Sequence, residues 1–353
     1  MKRDATKKSK KKGTLKPRKV NPMKRIELCN KWIAECPRDV DSYLERAEMK
    51  YLLGDFENAI ADCDEVLRIK PNNIAALNNR GIYKTETGDH FGAIDDYTAA
   101  IEIDSKCKEA FLNRAIANDD TGNVQEAIMD FDIAIIIDPF YKDALFGRAC
   151  AKSRLGSWES AVEDHDRVLE LDPFFAKAFY YRGLDKFMLD FDREAIDDLD
   201  RALELDPSIT DVYYNRGLAK RCVFDDEGAI EDFNKAIAVN PVFTLAYLNR
   251  CKAKFKLNDM QGALGDIFEI LKYDPLCEEA FVSLGIIRLE MGEYIKAHQA
   301  LSKVIELNPR YGYAFLIRGD LLMNMGFKVE GREDLLKAGF LGFREAYELL
   351  DGI

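Results

Sequence analysis

The stretch YYNRGLAKRCVFDDEGAIEDFNKAIAVNP, from Tyr213 to Pro241, decides the fold. Gly217 and Ala229 put one small residue in each of two helical halves. Phe224 falls at the turn between them. Pro241 closes the unit, because proline cannot continue a helix. Thirty-four residues away in either direction the pattern returns. Pro37, Pro71, Pro139, Pro173, Pro207, Pro241, Pro275 and Pro309 lie on one lattice of period 34, and Ser105 fills the empty node. A fixed period of this size means stacked supersecondary units. Counted from three residues past each node, nine units start at 40, 74, 108, 142, 176, 210, 244, 278 and 312 and run without insertion to residue 345.

Length alone suggests something else, since 353 residues is about two globular domains. The period replaces that reading with one array. A composition of 47% hydrophobic and 32% charged residues is that of a chain able to bury a core and keep a wet surface. No apolar run nears the eighteen or so residues of a membrane span, which excludes an integral membrane protein. The eight cysteines show neither CxxC nor zinc-type spacing. They read as small core fillers in a reducing compartment, so a cytoplasmic location is expected.

Within each unit, position 8 is small (Ala47, Gly81, Ala115, Ala149, Gly183, Gly217, Cys251, Gly285, Gly319) and position 20 is Ala or Gly. Small residues on both helices let the pair cross closely. Position 15 is Gly in six units, the residue that best takes the left-handed turn ending a helix. Asp190 and Asn258 tolerate that geometry, whereas Phe224 predicts a local irregularity. The spacing of small-8, Gly-15, Ala-20, aromatic-24 and Pro-32 resembles the tetratricopeptide repeat (TPR). The resemblance implies an all-α, right-handed α-solenoid superhelix of about nine helix-turn-helix repeats. It also implies a concave face, lined mostly by first helices, that binds a peptide or partner protein.

Position 7 is Arg and position 23 is Asp in the same eight units: Arg46 and Asp62, Arg80 and Asp96, Arg114 and Asp130, Arg148 and Asp164, Arg182 and Asp198, Arg216 and Asp232, Arg250 and Asp266, Arg318 and Asp334. The unit lacking one lacks both, having Leu284 and Ala300. Joint loss argues for a bridge between the two helices of a single unit. An arginine ladder for an acidic ligand is the competing functional reading.

The ends differ from the middle. Residues 1–20 hold ten Lys or Arg and one Asp, so this segment carries +9 and the remainder −21, within a net −12. Such a block reads as a disordered basic tail, able to meet nucleic acid or another anionic surface. Asn21 and Pro22 open a capping helix, with residues 21–39 closing the N-terminal end, and residues 346–353 form a short C-terminal cap.

No catalytic, metal or cofactor site is expected. His90, His165 and His298 share no face, and His165 takes the core slot held elsewhere by aromatics. Adjacent acid pairs point to different sides of a helix. There is no phosphate loop, nucleophile elbow or HExxH. By the resemblance, specificity lies in the groove. Position 5 carries no lysine in any unit, so the carboxylate clamp of chaperone-tail-binding relatives is absent. Phe146, Tyr180 and Tyr214 align at position 5, Phe187 and Phe255 at position 12, and Asn79, Asn113, Asn215 and Asn249 at position 6. Aromatics in a concave surface are typical anchors, and an amide can bond a peptide backbone. Repeat-to-repeat packing and a solvated helix face are the alternatives for these two sets. The expected function is a non-catalytic protein–protein interaction scaffold. A nucleic-acid-associated adaptor using the tail, or an accessory subunit of an enzyme encoded elsewhere, are the competing functions.

Overall fold

The computed structural model describes residues 21–351. The basic segment 1–20, and the nucleic-acid contact expected of it, lie outside these residues. The described residues form twenty α-helices and no strand, and none of these helices is long and apolar enough to cross a membrane. Contacts divide the chain into two compact units, Met1–Gly156 and Ser157–Ile353.

The first unit opens with α1 (Pro22–Glu35) and continues as helix pairs. These are α2 (Val40–Tyr51) with α3 (Phe56–Ile69), α4 (Ile74–Glu86) with α5 (His90–Ile103), and α6 (Lys108–Asp120) with α7 (Val124–Ile137). It ends on α8 (Lys142–Arg154). The second unit opens with α9 (Trp158–Leu171). Its pairs are α10 (Ala176–Met188) with α11 (Asp192–Leu205), α12 (Asp211–Cys222) with α13 (Asp226–Val239), and α14 (Thr244–Lys256) with α15 (Met260–Tyr273). Two more follow, α16 (Glu278–Glu290) with α17 (Tyr294–Leu307) and α18 (Gly312–Asn324) with α19 (Lys328–Phe340), before α20 (Glu345–Asp351). In each unit a helix packs on the helix before and after it. The first helices also touch one another: α4 meets α6 and α6 meets α8, while α10, α12, α14 and α16 run on in series. First helices therefore form a layer of their own.

Local chemistry sets these boundaries. Asn21 caps α1 by accepting from the Lys24 amide at 3.3 Å, and Pro22 takes the first helical turn, where no amide is needed. Where the two helices of a pair cross, the small position-8 residue receives the side chain at position 24. A Cβ on Gly217 would lie 2.7 Å from the Phe233 ring, and one on Gly81 would lie 2.5 Å from Tyr97. Both rings are buried, so the missing methyl is what admits them.

Phe224 corrects an expectation. It adopts φ +64°, beside +60° at Asp190 and +62° at Asn258, and the turn is regular. The Phe224 amide donates to the Arg221 carbonyl at 3.1 Å and the Asp225 amide to the Lys220 carbonyl at 2.9 Å. The turn at Gly88 is closed by the same two bonds, at 3.0 and 2.9 Å. The Phe224 side chain is 81% exposed, with the Lys256 ammonium over its ring at 5.2 Å, so nothing crowds it. What remains is the intrinsic left-handed penalty of about 1–2 kcal/mol, which the two closing bonds and the flanking helices override.

Candidate functional site: the ion ladder and the first-helix face

The position-7 arginines share one geometry. Arg46 donates Nε and Nη2 to the two oxygens of Asp62 at 2.9 and 2.5 Å. The same fork joins Arg80 to Asp96, Arg114 to Asp130, Arg182 to Asp198, Arg216 to Asp232, Arg250 to Asp266 and Arg318 to Asp334. Arg148 stands on α8 in the first unit, and Asp164 is buried on α9 in the second. The aspartates are nearly inaccessible, at 1–7% exposure. A carboxylate so buried must be paired, and a bidentate guanidinium is its best partner.

Two further components were not read from the sequence. First, the arginine's remaining nitrogen, Nη1, reaches back to the preceding helix pair. It donates to Asn30, Asp64, Thr98, Asp132, Asp166, Asp200, Asn234 and Ser302 at 2.5–3.0 Å. Every acceptor lies sixteen residues upstream of its arginine. The seven forked arginines thus tie their own two helices together, and all eight latch their helix to the one before it. Second, a lysine four residues after the arginine joins the same aspartate. Lys50, Lys84, Lys186, Lys220 and Lys254 lie 2.7–3.0 Å from Asp62, Asp96, Asp198, Asp232 and Asp266. The guanidinium also lies over the position-4 aromatic, as Arg182 does over Phe179 at 5.3 Å. Three of the five N–H groups of each forked arginine are thus engaged inside the fold.

The residues expected in a groove are distributed as follows. Phe146 and Asn79 are half-buried in the first unit, where Asn113 donates to Asn78 at 2.9 Å. In the second unit Tyr180, Tyr214, Phe187 and Phe255 are half-buried. Asn215 donates to the Tyr180 hydroxyl and Asn249 to the Tyr214 hydroxyl, each at 3.1 Å, so position 6 of one pair fastens to position 5 of the pair before. Both amides also donate to the carbonyl four residues back in their own helix. Burial pushes the Tyr180 phenol up to about 12, against the lowering effect of the Asn215 hydrogen bond.

Across α12, α14 and α16 this face opens into a cavity of about 310 Å³. Phe255, Cys251, Ile286 and Ile287 form its apolar wall, and Ser283 adds a hydroxyl. Arg221, Lys252 and Lys256 supply its charge. Arg221 is held by Asn249 at 2.8 Å. Lys252 and Lys256 are exposed, and among the described residues neither lies within salt-bridge distance of a carboxylate. Apolar floor and cationic rim together suit an apolar side chain flanked by carboxylates.

The model of the tetratricopeptide repeat family matches residues 40–73, the unit built by α2 and α3, whose ladder and turn recur along the chain. Residues 40–73 carry a tetratricopeptide repeat. Solved structures are similar to this chain in fold. A tetratricopeptide repeat protein from Parabacteroides merdae is 20% identical with a TM-score of 0.51, over 71% of this chain and 98% of that one. The C-terminal part of a TPR repeat-containing protein from Cytophaga hutchinsonii is 18% identical with a TM-score of 0.52, over 65% and 94%. The APC/C hetero-tetramer Cut9–Hcn1 gives 16%, 0.51, 83% and 58%. No curated protein matches significantly.

In TPR terms, the cavity draws on positions 9, 12 and 13 of successive first helices. Phe255 was singled out from the sequence. Lys252, Lys256 and Arg221 were not, although cations at groove-facing positions of adjacent repeats were a usable signal. Elsewhere in the second unit His165 is fully buried, with Nε2 3.4 Å from Asp185 Oδ2, and so sits within the helix stack. Among the described residues no group of three or more His, Cys, Asp or Glu is placed to hold a metal ion.

Proposed function

We propose that this TPR protein is a non-catalytic scaffold that holds a segment of a partner protein against the first-helix layer of its second unit. The observation carrying this reading is the cavity between α12, α14 and α16, where an apolar wall at Phe255 meets the unneutralised Lys252 and Lys256. The segment that fits presents a bulky apolar side chain with acidic neighbours. Truncating Phe255 removes an aromatic wall of the kind that contributes about 2 kcal/mol or more when it is an anchor, or roughly 30-fold in affinity. Proteins captured by the wild-type chain should be lost with Phe255→Ala and with the Lys252→Glu, Lys256→Glu pair, and kept with Phe91→Ala, an exposed position on α5. The interaction should also weaken as salt rises. A partner retained equally by all three variants refutes the site.

A further inference from the structure

The last helix pair departs from the ladder in one residue. In the other first helices from α2 to α16, the position four residues after the ladder arginine or its substitute is polar: Lys50, Lys84, Asn118, Lys152, Lys186, Lys220, Lys254 and Arg288. In α18 it is Leu322, which is buried. Asp334, only 7% exposed, therefore accepts from Arg318 alone among the described residues, at 2.7 and 2.9 Å. Five of its counterparts, Asp62, Asp96, Asp198, Asp232 and Asp266, each accept from an arginine and a lysine, while Asp130, with Asn118 at the lysine position, accepts from Arg114.

The place beside Asp334 is open. A cavity of about 520 Å³ lies there, between α17, α18 and α19, with Leu322, Ile295 and Phe327 as apolar walls. Glu330, Glu333 and Asp334 bring three carboxylates to it against the guanidinium of Arg318 and the imidazole of His298. The internal comparison says what such a place accepts. In sister pairs the lysine ammonium stands between the buried aspartate and a carbonyl of the second helix: Lys50 donates to Asn58 O at 3.0 Å, Lys84 to Gly92 O at 3.1 Å and Lys254 to Gly262 O at 3.3 Å. A carbonyl and a carboxylate so close make a compact seat for an ammonium, whereas a planar guanidinium needs a wider fork.

We infer that this cavity binds a lysine side chain presented by a partner polypeptide. The ammonium sits at Asp334 with Glu330 and Glu333 at the rim, and the methylenes lie along Leu322, Ile295 and Phe327. Charge complementarity and the fold's own use of lysine at this position both select that occupant.

The test uses the full chain with methyl-labelled methionine, read by NMR at Met325, which also lines the cavity. Nα-acetyl-lysine N-methylamide should shift the Met325 methyl saturably, with a Kd of about millimolar, as a single side-chain anchor allows. Its Nε-acetylated counterpart, which lacks the charge, should bind at least about tenfold more weakly. Leu322→Lys, which restores the residue of the sister pairs, should abolish the shift and raise thermal stability. Should that variant fold poorly, Glu330→Gln with Glu333→Gln, both at exposed positions, should weaken binding several-fold in an intact chain. The assignment is overturned by no shift with the lysine probe, by equal binding of the acetylated probe, or by undiminished binding in the Leu322→Lys or the double Gln variant.

Discussion

Arg182 and Asp198 give the sharpest test of how the ladder works. Arg182→Leu removes two charge-assisted bonds to a carboxylate that is 5% exposed, at 2.8 and 2.5 Å. It also removes the Nη1 contact to Asp166 at 2.6 Å. Asp166 is half exposed, so that contact contributes below about 1 kcal/mol. Lys186 remains 2.7 Å from Asp198, so the buried charge keeps one partner. The cost should fall at the low end of the range for a broken buried pair, about 3 kcal/mol. Replacing both residues, Arg182→Leu with Asp198→Leu, leaves no buried carboxylate. Lys186 is 20% exposed and can swing its ammonium to water, so the double change should cost only about 1–2 kcal/mol. Repeat arrays open locally, so native-state hydrogen exchange in α10 and α11 is a better measure than a global melting curve. At about 1.4 kcal/mol per tenfold, the single change should accelerate amide exchange there about 100-fold and the double change about tenfold. If exchange in the double variant equals or exceeds that in the single variant, the pairing is not what holds these helices.

Two other outcomes follow from the backbone and the thiols. Phe224→Gly should stabilise α12 and α13 by about 1 kcal/mol, because glycine takes φ +64° without the left-handed penalty, and chemical denaturation would show it. Burial pushes the thiols of Cys63 and Cys251 up to about 12 from an ordinary 9.0. These raised values mean that unfolding releases protons above pH 9, so the stability they confer is intact below that pH and declines between pH 9 and 12. At pH 8 iodoacetamide should label exposed Cys36 and Cys222 within the time that leaves Cys63 and Cys251 unmodified.

Most of the helix pairing was legible in the sequence because it rests on residues that recur at one spacing. Proline, the small position-8 residue and the Arg–Asp couple each report one local contact, and the period multiplies the signal. The second arm of the arginine was harder to see. Its acceptors are Asn, Asp, Thr and Ser, a set joined by hydrogen-bonding capacity rather than by identity. The Asn–Tyr bonds span thirty-five residues, one more than the period, so a search within units passes over them. Phe224 was misread because propensity weighs a residue by its intrinsic cost, while the closing bonds of the turn decide the outcome. The cationic rim of the groove was missed because lysine on a helix face is common and only the cavity beneath gives it meaning.

The backward latch has a mechanical consequence. Every first helix from α2 to α18 carries an arginine that grips its predecessor, except α16, where Leu284 faces a predecessor that offers Phe268. There Arg288 turns to Glu293 within its own pair, and Phe268, Phe281 and Leu284 line a shallow apolar groove of about 280 Å³. Contact between greasy surfaces resists sliding far less than a directed ionic clasp does. Stretched end to end in an optical trap, the chain should tear first between α15 and α16, releasing α16–α20 as one piece. Installing an arginine at Leu284 together with aspartates at Phe268 and Ala300 should move that rupture elsewhere. What holds α16–α20 to the rest at this seam is then the apolar packing of Ile267 and Ile270 on Ala280 and Ile287, with no ionic clasp beside it among the described residues.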